Sequence, residues 1–384
     1  MKSGYRVAVA ALAAAAVALS ACSSSGTNAR STSSNDVVSS GASSDDSGVA
    51  AAEAATARNK QAPTVIPLRE PLKAKPIAGK TLVWMKCDLS QCQIQANALK
   101  QATAAVGWHY QEISYKSADP ATLVSALKQA LNFKPTAVGV SAIPLATWQT
   151  VLPAYKAAGT VIVTAFLGQQ KYDDTLIGQA GAAKDSEQSG QYIGNWVVAD
   201  SKGQAHILLE TVNDYPIVHD FNTGVETTVK QNCPKCKITL LNNTIPQVLG
   251  GQVPQTIVAA LQKDPSIQYV VTANGPFIAG LTSALSAAGL SGKIKIAGEG
   301  ASAEDLANVK TGQEHAWTPT ALNYSAWIML DMVLRHMQGM QFDPDGDGGL
   351  PQQLLTKDVS FTPSDSYDKP ADYAEQLKKL WHVG

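Results

Sequence analysis

Short apolar runs of strand length alternate with longer segments of helical periodicity along most of this chain. Residues 81–85, 137–140 and 161–164 are largely apolar runs, and residues 120–132 repeat leucine or alanine at the spacing of one helix face. Continuous apolar strands that alternate with helices require crossover connections, which build a parallel sheet covered on both faces. The sequence therefore predicts an α/β fold with doubly wound parallel sheets.

The alternation continues into a second half of similar size. Further strands are predicted at residues 206–209, 237–241, 269–272 and 294–297, with helix-length segments between them. No repeat of the length found in solenoid proteins is present, which argues against that architecture. The residues beyond Lys80 suffice for two domains of ordinary size, so we expect two lobes, each built on its own parallel sheet.

The amino terminus has the layout of an export signal. A positively charged start leads into an apolar run over residues 7–19, which is too short for a permanent membrane span. The run ends in Leu19-Ser20-Ala21-Cys22, which resembles the lipobox of bacterial lipoproteins. The resemblance implies a signal peptide over residues 1–21 and an extracytoplasmic protein anchored to the cell membrane by a lipid on Cys22. The alternative is an ordinary secretory signal cut near Ala21.

The segment after the signal is unusual in composition. Residues 22–78 are rich in Ser, Ala, Gly and Asp, then in Pro, with few aromatic or β-branched residues. Such a segment buries too little apolar surface to offset the entropy of ordering it. We therefore expect residues 22–78, which begin at the lipidated cysteine, to form a disordered tether.

Charge and motifs limit the possible partners and cofactors. With 30 basic and 31 acidic residues the net charge is -1 and no basic block is present, which argues against nucleic acid. Residues 343–348 match the opening of an EF-hand calcium loop, but Leu354 stands where that loop ends in Glu. We expect a solvated acidic turn without a metal there, with a loop-bound calcium as the alternative, and we expect no cofactor.

Four further cysteines form two close pairs, Cys87 with Cys92 and Cys233 with Cys236. An even number of cysteines in an exported chain favours structural disulfides within these pairs. The alternatives are a zinc site built from all four thiolates, a redox-active C-x-x-C at the second pair, and free thiols.

Several short sequence segments, taken in their order along the chain, resemble segments of the ribose-binding-like, type I solute-binding proteins that serve bacterial ABC importers. The resemblance covers nearly all of residues 79–360, and its strongest marks are Ala157–Thr164, Thr272–Asn274, Ile296–Gly300 and the closing-strand segment Leu354–Val359. It implies a type I periplasmic-binding-protein-like fold with a three-crossover hinge. One lobe would comprise residues 79–180 plus 318–342, and the other residues 181–317 plus 343–384.

The resemblance also implies a function. A monomer would capture a small-molecule solute in the cleft between its lobes, close around it and deliver it to an ABC permease in the cytoplasmic membrane. It would act without a cofactor and would not be an enzyme. The main expectation is a sugar-like or polyol solute. Three alternatives remain: a non-carbohydrate solute such as an autoinducer, nucleoside or aromatic compound, a sensing receptor without a permease, and an extracellular enzyme on the same scaffold.

Ligands of open α/β sheets bind beyond the carboxyl ends of the strands, which directs attention to the residues that follow them. Asn274 matches the family's Asn for a solute hydroxyl, and Glu299 stands where the family usually has Asp. The remaining candidates lie in loops or near strand ends in the two predicted lobes: Asp88, Gln91, Phe166, Asn213, Phe221 and Trp317.

Three of the family's strong sugar contacts are replaced in this sequence. The first loop reads Asp88-Leu89-Ser90-Gln91-Cys92 in place of aromatic residues, Phe166-Leu167 replaces an Asp-Arg pair, and Phe221 stands where an Arg is usual. These replacements favour a flatter or less hydroxylated solute than a pyranose.

Overall fold

The computed structural model describes residues 44–346 and 349–384. The predicted signal peptide at residues 1–21, the lipidation site Cys22 and the first part of the predicted tether lie outside the described residues. Within them, no helix is both long enough and apolar enough to cross a membrane.

A helix and an N-terminal lobe open the described chain. The sheet of this lobe is parallel, with strand order β2-β1-β3-β4-β5. The elements are α1 Ser44–Asn59, β1 Thr81–Lys86, α2 Ser90–Ala105, β2 His109–Ser114, α3 Pro120–Ala130, β3 Ala137–Ser141, α4 Leu152–Ala158, β4 Val161–Ala165 and β5 Leu176–Ala180. Strands β3, β4 and β5 are buried along their whole length, as expected for a sheet covered on both faces.

A second sheet forms the C-terminal lobe, with strand order β11-β10-β9-β8-β6-β7. Its pairs are parallel except that β11 runs antiparallel to β10. The elements are α5 Ala183–Asp200, β6 His206–Val212, α6 Pro216–Asn232, β7 Lys237–Asn243, α7 Ile245–Leu249, α8 Val253–Lys263, β8 Tyr269–Thr272, α9 Leu281–Ala287, β9 Lys295–Glu299, α10 Ala303–Thr311, β10 Ala316–Thr318, α11 Leu322–Met337, β11 Leu355–Thr356 and α12 Tyr373–Leu380. The predicted α/β fold with two parallel-sheet lobes is thus confirmed.

Three crossovers join the lobes after β5. They lie between β5 and α5, between β10 and α11, and between α11 and β11. Helix α11 returns to the N-terminal lobe, where it packs on α2, β4 and β5. The buried Asp185 carboxylate ties two crossovers together, since it accepts hydrogen bonds from the backbone N–H groups of Ala182 and Leu350 at 3.0 and 2.8 Å.

Both predicted disulfides are present. Cys87 is joined to Cys92 across the turn that opens α2, and Cys233 is joined to Cys236 just after α6. Each bridge therefore fixes one end of a helix that packs on its sheet.

Residues 44–78 are ordered, which corrects the prediction of a tether for this part of the chain. Helix α1 packs on α5 and α6, with Ala52 fully buried. The following segment then crosses to the N-terminal lobe, where Ile66 and Leu72 are 1% and 2% exposed. The composition contains few apolar side chains, but their positions match apolar grooves supplied by distant helices, and burial there offsets the cost of ordering.

A charge introduced on the buried face of α1 tests this correction. We expect Ala52→Asp to lower the free energy of unfolding by about 1–3 kcal/mol, because it places an unpaired carboxylate among apolar side chains. Ala51→Asp is the matched control, since Ala51 is exposed one position earlier in the same helix. Urea unfolding measures the change, and trypsin cleavage at Arg58 and Lys60 should accelerate in the first variant alone. If the two variants have the same free energy of unfolding and the same cleavage rate, the original prediction of a disordered tether is correct for this segment.

The carboxyl terminus also departs from the predicted lobe boundaries. Residues 343–384 were assigned to the C-terminal lobe, but the chain leaves that lobe after β11 and returns to the N-terminal lobe. There α12 and Trp381 pack against α11. The structure thus adds two connections between the lobes, one before β1 and one after β11, to the three that were predicted.

Candidate functional site

The carboxyl ends of the two sheets face a common cavity of about 400 Å³ between the lobes. Strands β1 to β4 contribute from one side, and β6, β8 and β9 from the other, because the loop that follows each of them contains residues that line the cavity. Residues of both lobes line the cavity, among them Cys87, Leu89, Gln91, Cys92, Gln95, Tyr115, Ser141, Ile143, Phe166, Tyr215, Leu249, Asn274, Phe277, Glu299 and Asp365. The cavity has a size suited to a small organic molecule.

In the N-terminal lobe, the disulfide-bridged turn and the end of β2 form one wall. Cys87 and Cys92 both line the cavity, and the turn between them presents Gln91. Tyr115 follows β2, and its buried hydroxyl has no hydrogen-bond partner among the described residues. Burial raises the pKa of Tyr115, and the nearby Asp88 and Tyr215 raise it further, so the hydroxyl remains a donor at neutral pH.

In the C-terminal lobe, a buried network holds Asn274 in place. The Glu210 carboxylate accepts a hydrogen bond from the Thr272 hydroxyl at 2.8 Å, and the Asn274 backbone N–H donates to that hydroxyl at 3.3 Å. Asn243 donates to the other Glu210 oxygen at 3.0 Å. The Asn274 side-chain oxygen is itself buried without a partner among the described residues. A buried polar atom of this kind favours a ligand that supplies the missing hydrogen bond.

Glu299 ends β9 and lines the same cavity. Burial raises its pKa to about 8, although the hydroxyls of Ser189 and Ser186 act in the opposite direction. The Ser186 hydroxyl donates to the carboxyl group at 3.2 Å. Near neutral pH, Glu299 is therefore mostly protonated and can donate as well as accept a hydrogen bond.

The raised pKa of Glu299 predicts how stability varies with pH. Between its ordinary pKa of 4.5 and about 8, the folded protein holds a proton that the unfolded chain has lost. The free energy of unfolding should therefore fall as pH rises through this interval, by about 1.4 kcal/mol per pH unit for a single group. Glu314, whose burial also raises its pKa to about 8, should act in the same direction.

The test compares Glu299→Gln with the parent by urea unfolding at several pH values between 5 and 7.5. We expect the variant to lose up to about 1.4 kcal/mol per pH unit of the slope, since glutamine does not titrate. Equal slopes for the two proteins would show that Glu299 titrates normally.

Phe166 lies at the inner end of the cavity, beside the first crossover. Its backbone has a φ of 58°, and its ring packs directly on Gly181, where any Cβ atom would overlap the ring. Glycine is required at this position by that approach as well as by its φ of 65°. The ring thus forms part of the boundary between the cleft and the hinge.

Two predicted ligand residues instead belong to the hydrophobic cores, which corrects their assignment to the cleft. Phe221 is fully buried between α6 and α5, and Trp317 is fully buried with its indole N–H donating to Glu314 at 2.7 Å. Phe221 lies on the apolar face of its helix, and Trp317 lies within a strand rather than beyond its end. Neither side chain reaches the cavity.

Two other predicted residues lie near the cleft but do not line the cavity. Asp88 is exposed and accepts hydrogen bonds from the backbone and hydroxyl of Ser117 at 3.1 and 2.6 Å, which lowers its pKa. Asn213 is exposed, and its backbone N–H donates to the Asn242 side chain. The structure therefore brings together Gln91, Phe166, Asn274 and Glu299.

The sequence reasoning did not single out several residues that line the cavity. Tyr115 and Ile143 also follow strands of the N-terminal sheet, so the same rule would have found them. Phe277 lies on the opposite lobe, where its ring stacks on that of Tyr215 with centroids 6.0 Å apart, and Leu249 lies on the short helix α7. Tyr215 was considered together with Asn213 as a residue that follows a strand end, and it lines the cavity. No signal in the sequence distinguishes Leu249 from other exposed apolar residues.

The acidic loop near residue 343 is tied into the fold by side chains of the N-terminal lobe and the hinge. Asp343 pairs with Lys184, and Asp345 accepts a hydrogen bond from the Tyr172 hydroxyl. Asp347 lies outside the described residues. Among the residues that the structure describes, no group of three or more His, Cys, Asp or Glu side chains is arranged to hold a metal ion.

The chain is similar in sequence and in fold to known proteins. A model of the periplasmic binding protein domain matches residues 88–341. No curated protein has a matching sequence.

Solved structures share the two-lobed fold. An ABC sugar transporter subunit from Rhodobacter sphaeroides is 20% identical, with 73% of this chain and 99% of that chain covered and a TM-score of 0.62. GanP, a glucose-galactose binding protein from Geobacillus stearothermophilus, is 16% identical, with 74% and 100% covered and a TM-score of 0.64. An ABC transporter solute-binding protein from Agrobacterium vitis with bound allitol is 20% identical, with 80% and 99% covered and a TM-score of 0.61.

These likenesses cover 73%, 74% and 80% of this chain. Since the domain model spans more than half of the sequence, the chain belongs to the periplasmic binding protein family.

Proposed function

We propose that this protein is the extracytoplasmic solute-binding component of an ABC importer, which captures a small sugar-like or polyol solute and delivers it to a membrane permease. The observation that carries the proposal is the interlobe cavity, where the carboxyl ends of the two sheets meet around polar atoms of Asn274 and Tyr115 that have no partner among the described residues. The protein binds its solute and releases it unchanged, as expected for a member of the periplasmic binding protein family.

The related structures support this class of solute. They include a glucose-galactose binding protein, a solute-binding protein from Burkholderia graminis in complex with D-arabinose, and the protein with bound allitol. Gln91, Asn274 and Glu299 supply amide and carboxyl groups of the kind that bind hydroxyl groups. Phe166 lies against the inner end of the same cavity, where a ring face would pack on a solute.

The proposal also covers how the protein is held near its permease. Processing before Cys22 and acylation of its thiol would anchor a monomer to the outer face of the cytoplasmic membrane. The segment available as a tether is then shorter than residues 22–78, because α1 begins at Ser44 and packs on the C-terminal lobe.

A thermal-shift screen of the full-length protein against pentoses, hexoses and polyols tests the function. A solute present at 100 times its dissociation constant should add about 2.7 kcal/mol to the stability of the folded state, which raises the melting temperature visibly. A screen in which no compound of these classes shifts the melting temperature would contradict the proposal.

A further inference from the structure

The charge of the cavity restricts its solute. Among the described residues that line it there is no lysine, arginine or histidine, whereas Glu299 and Asp365 supply carboxyl groups. A phosphate or carboxylate on the solute would lose its water without gaining a cationic partner, which is costly in an enclosed site. The lining therefore selects against anionic solutes.

Polar groups that can bind hydroxyls are present on both lobes. Asn274 and Tyr115 each have a buried oxygen without a partner among the described residues. Gln95 and Ser141, which are 1% and 3% exposed, lie at the same cavity. These groups suit a part of the solute that carries several hydroxyls.

The entrance has a different character. Leu89 on the N-terminal lobe and Leu249 on the C-terminal lobe line the cavity yet remain 47% and 49% exposed. One exposed leucine needs no explanation, but two at the rims of one cleft extend its apolar lining into solvent. Ile143 and the stacked pair of Tyr215 and Phe277 continue this apolar surface into the cavity.

Building on the proposed function, we propose that the solute is a neutral glycoside, in which a hydroxylated sugar is joined to an apolar aglycone. The sugar contacts Asn274 and Glu299, and the aglycone lies between Leu89 and Leu249. An apolar aglycone would cover both leucines when the lobes hold the solute, and this burial of apolar surface strengthens binding. A free sugar would leave them exposed.

Calorimetric titration of the full-length protein with matched pairs of probes tests the inference. The probes are the methyl and phenyl glycosides of glucose, galactose, arabinose and ribose, together with the corresponding sugar phosphates. For the sugar that binds, we expect the phenyl glycoside to bind at least about tenfold more tightly than the methyl glycoside. The sugar phosphate should bind at least about tenfold more weakly than the methyl glycoside.

Variants of the two leucines test whether these side chains cause the difference in affinity between phenyl and methyl glycosides. The double variant Leu89→Ser/Leu249→Ser should reduce the phenyl-to-methyl ratio to less than about threefold. Leu240→Ser is the matched control, because Leu240 is 58% exposed on β7 and does not line the cavity, so the ratio should stay unchanged.

The outcomes separate this inference from the function on which it rests. If methyl and phenyl glycosides bind equally well, or if the leucine variant keeps the parental ratio, the glycoside inference is wrong and the solute-binding function stands. If no neutral sugar or glycoside in the panel binds, the proposed function fails and the inference fails with it.

Discussion

Replacement of Trp381 by alanine is expected to lower the free energy of unfolding by about 3–5 kcal/mol, the range for removing a large aromatic side chain from a core. The Trp381 side chain is fully buried, and its ring stacks on Trp327 with centroids 5.3 Å apart. Its indole N–H donates to the buried Asp331 carboxylate at 2.6 Å. The substitution therefore removes both apolar packing and a charge-assisted hydrogen bond.

The effect should extend beyond the carboxyl terminus because the same carboxylate connects three segments. Arg335 donates to Asp331 at 2.6 Å and also to the backbone oxygen of Glu70 at 2.6 Å. The backbone N–H of Leu72 donates to the oxygen of Leu380 at 2.8 Å. Loss of Trp381 should loosen the segment before β1 together with the tail after β11.

Urea unfolding followed by circular dichroism measures the free energy of unfolding of the parent and the variants. Trp381→Phe keeps an aromatic ring beside Trp327 but lacks the N–H, so we expect a smaller loss of about 1–3 kcal/mol. Lys379→Ala changes an exposed residue of α12 and should be close to neutral. A Trp381→Ala protein as stable as the parent would show that the tail is not part of the N-terminal core.

The predictable part of this fold is the part that local sequence determines. The apolar runs at β1, β3, β4, β6 and β8 are readable because a strand buried on both faces is apolar at nearly every position. Strand β5 was not predicted because Gly178 and Gln179 interrupt its apolar run. Strand β10 was not predicted because it has only three residues.

The two terminal segments were mispredicted for a different reason. Whether residues 44–78 are ordered depends on apolar surface presented by α5, α6 and α11, which lie far away in the sequence. Composition measures what a segment can bury by itself and not what another segment offers it. The tail after β11 likewise finds its partner on α11, through Trp327.

For the site, the sequence predicted that the carboxyl ends of the strands line the cleft, but it did not predict which side chains line the cavity. Glu299 ends a strand and Asn274 follows one, so their location at the edge of the sheet could be predicted from the sequence. Phe221 lies inside a helix, where successive side chains point about 100° apart around the helix axis. An alignment with relatives therefore does not show which side chains of the helix face the cavity. Phe221 belongs to the same buried face as Val218 and Val225.

Replacement of Asn274 by alanine is expected to weaken binding of the solute found in the thermal-shift screen by about 10- to 100-fold, the cost of a lost buried hydrogen bond or two. The amide lies just beyond the end of β8, and its oxygen accepts no hydrogen bond from the described residues. Its removal should leave the melting temperature of the unliganded protein nearly unchanged.

Asn213→Ala provides the matched comparison, because this asparagine also follows a strand of the same sheet but does not line the cavity. Its side chain is exposed, and the backbone contact to Asn242 persists in the variant. Calorimetric titration should therefore give the parental affinity for Asn213→Ala and the weakened affinity for Asn274→Ala. If the two variants bind alike, strand ends alone do not define the site. If only Asn274→Ala is impaired, the solute engages the Asn274 side-chain oxygen, which has no partner among the described residues.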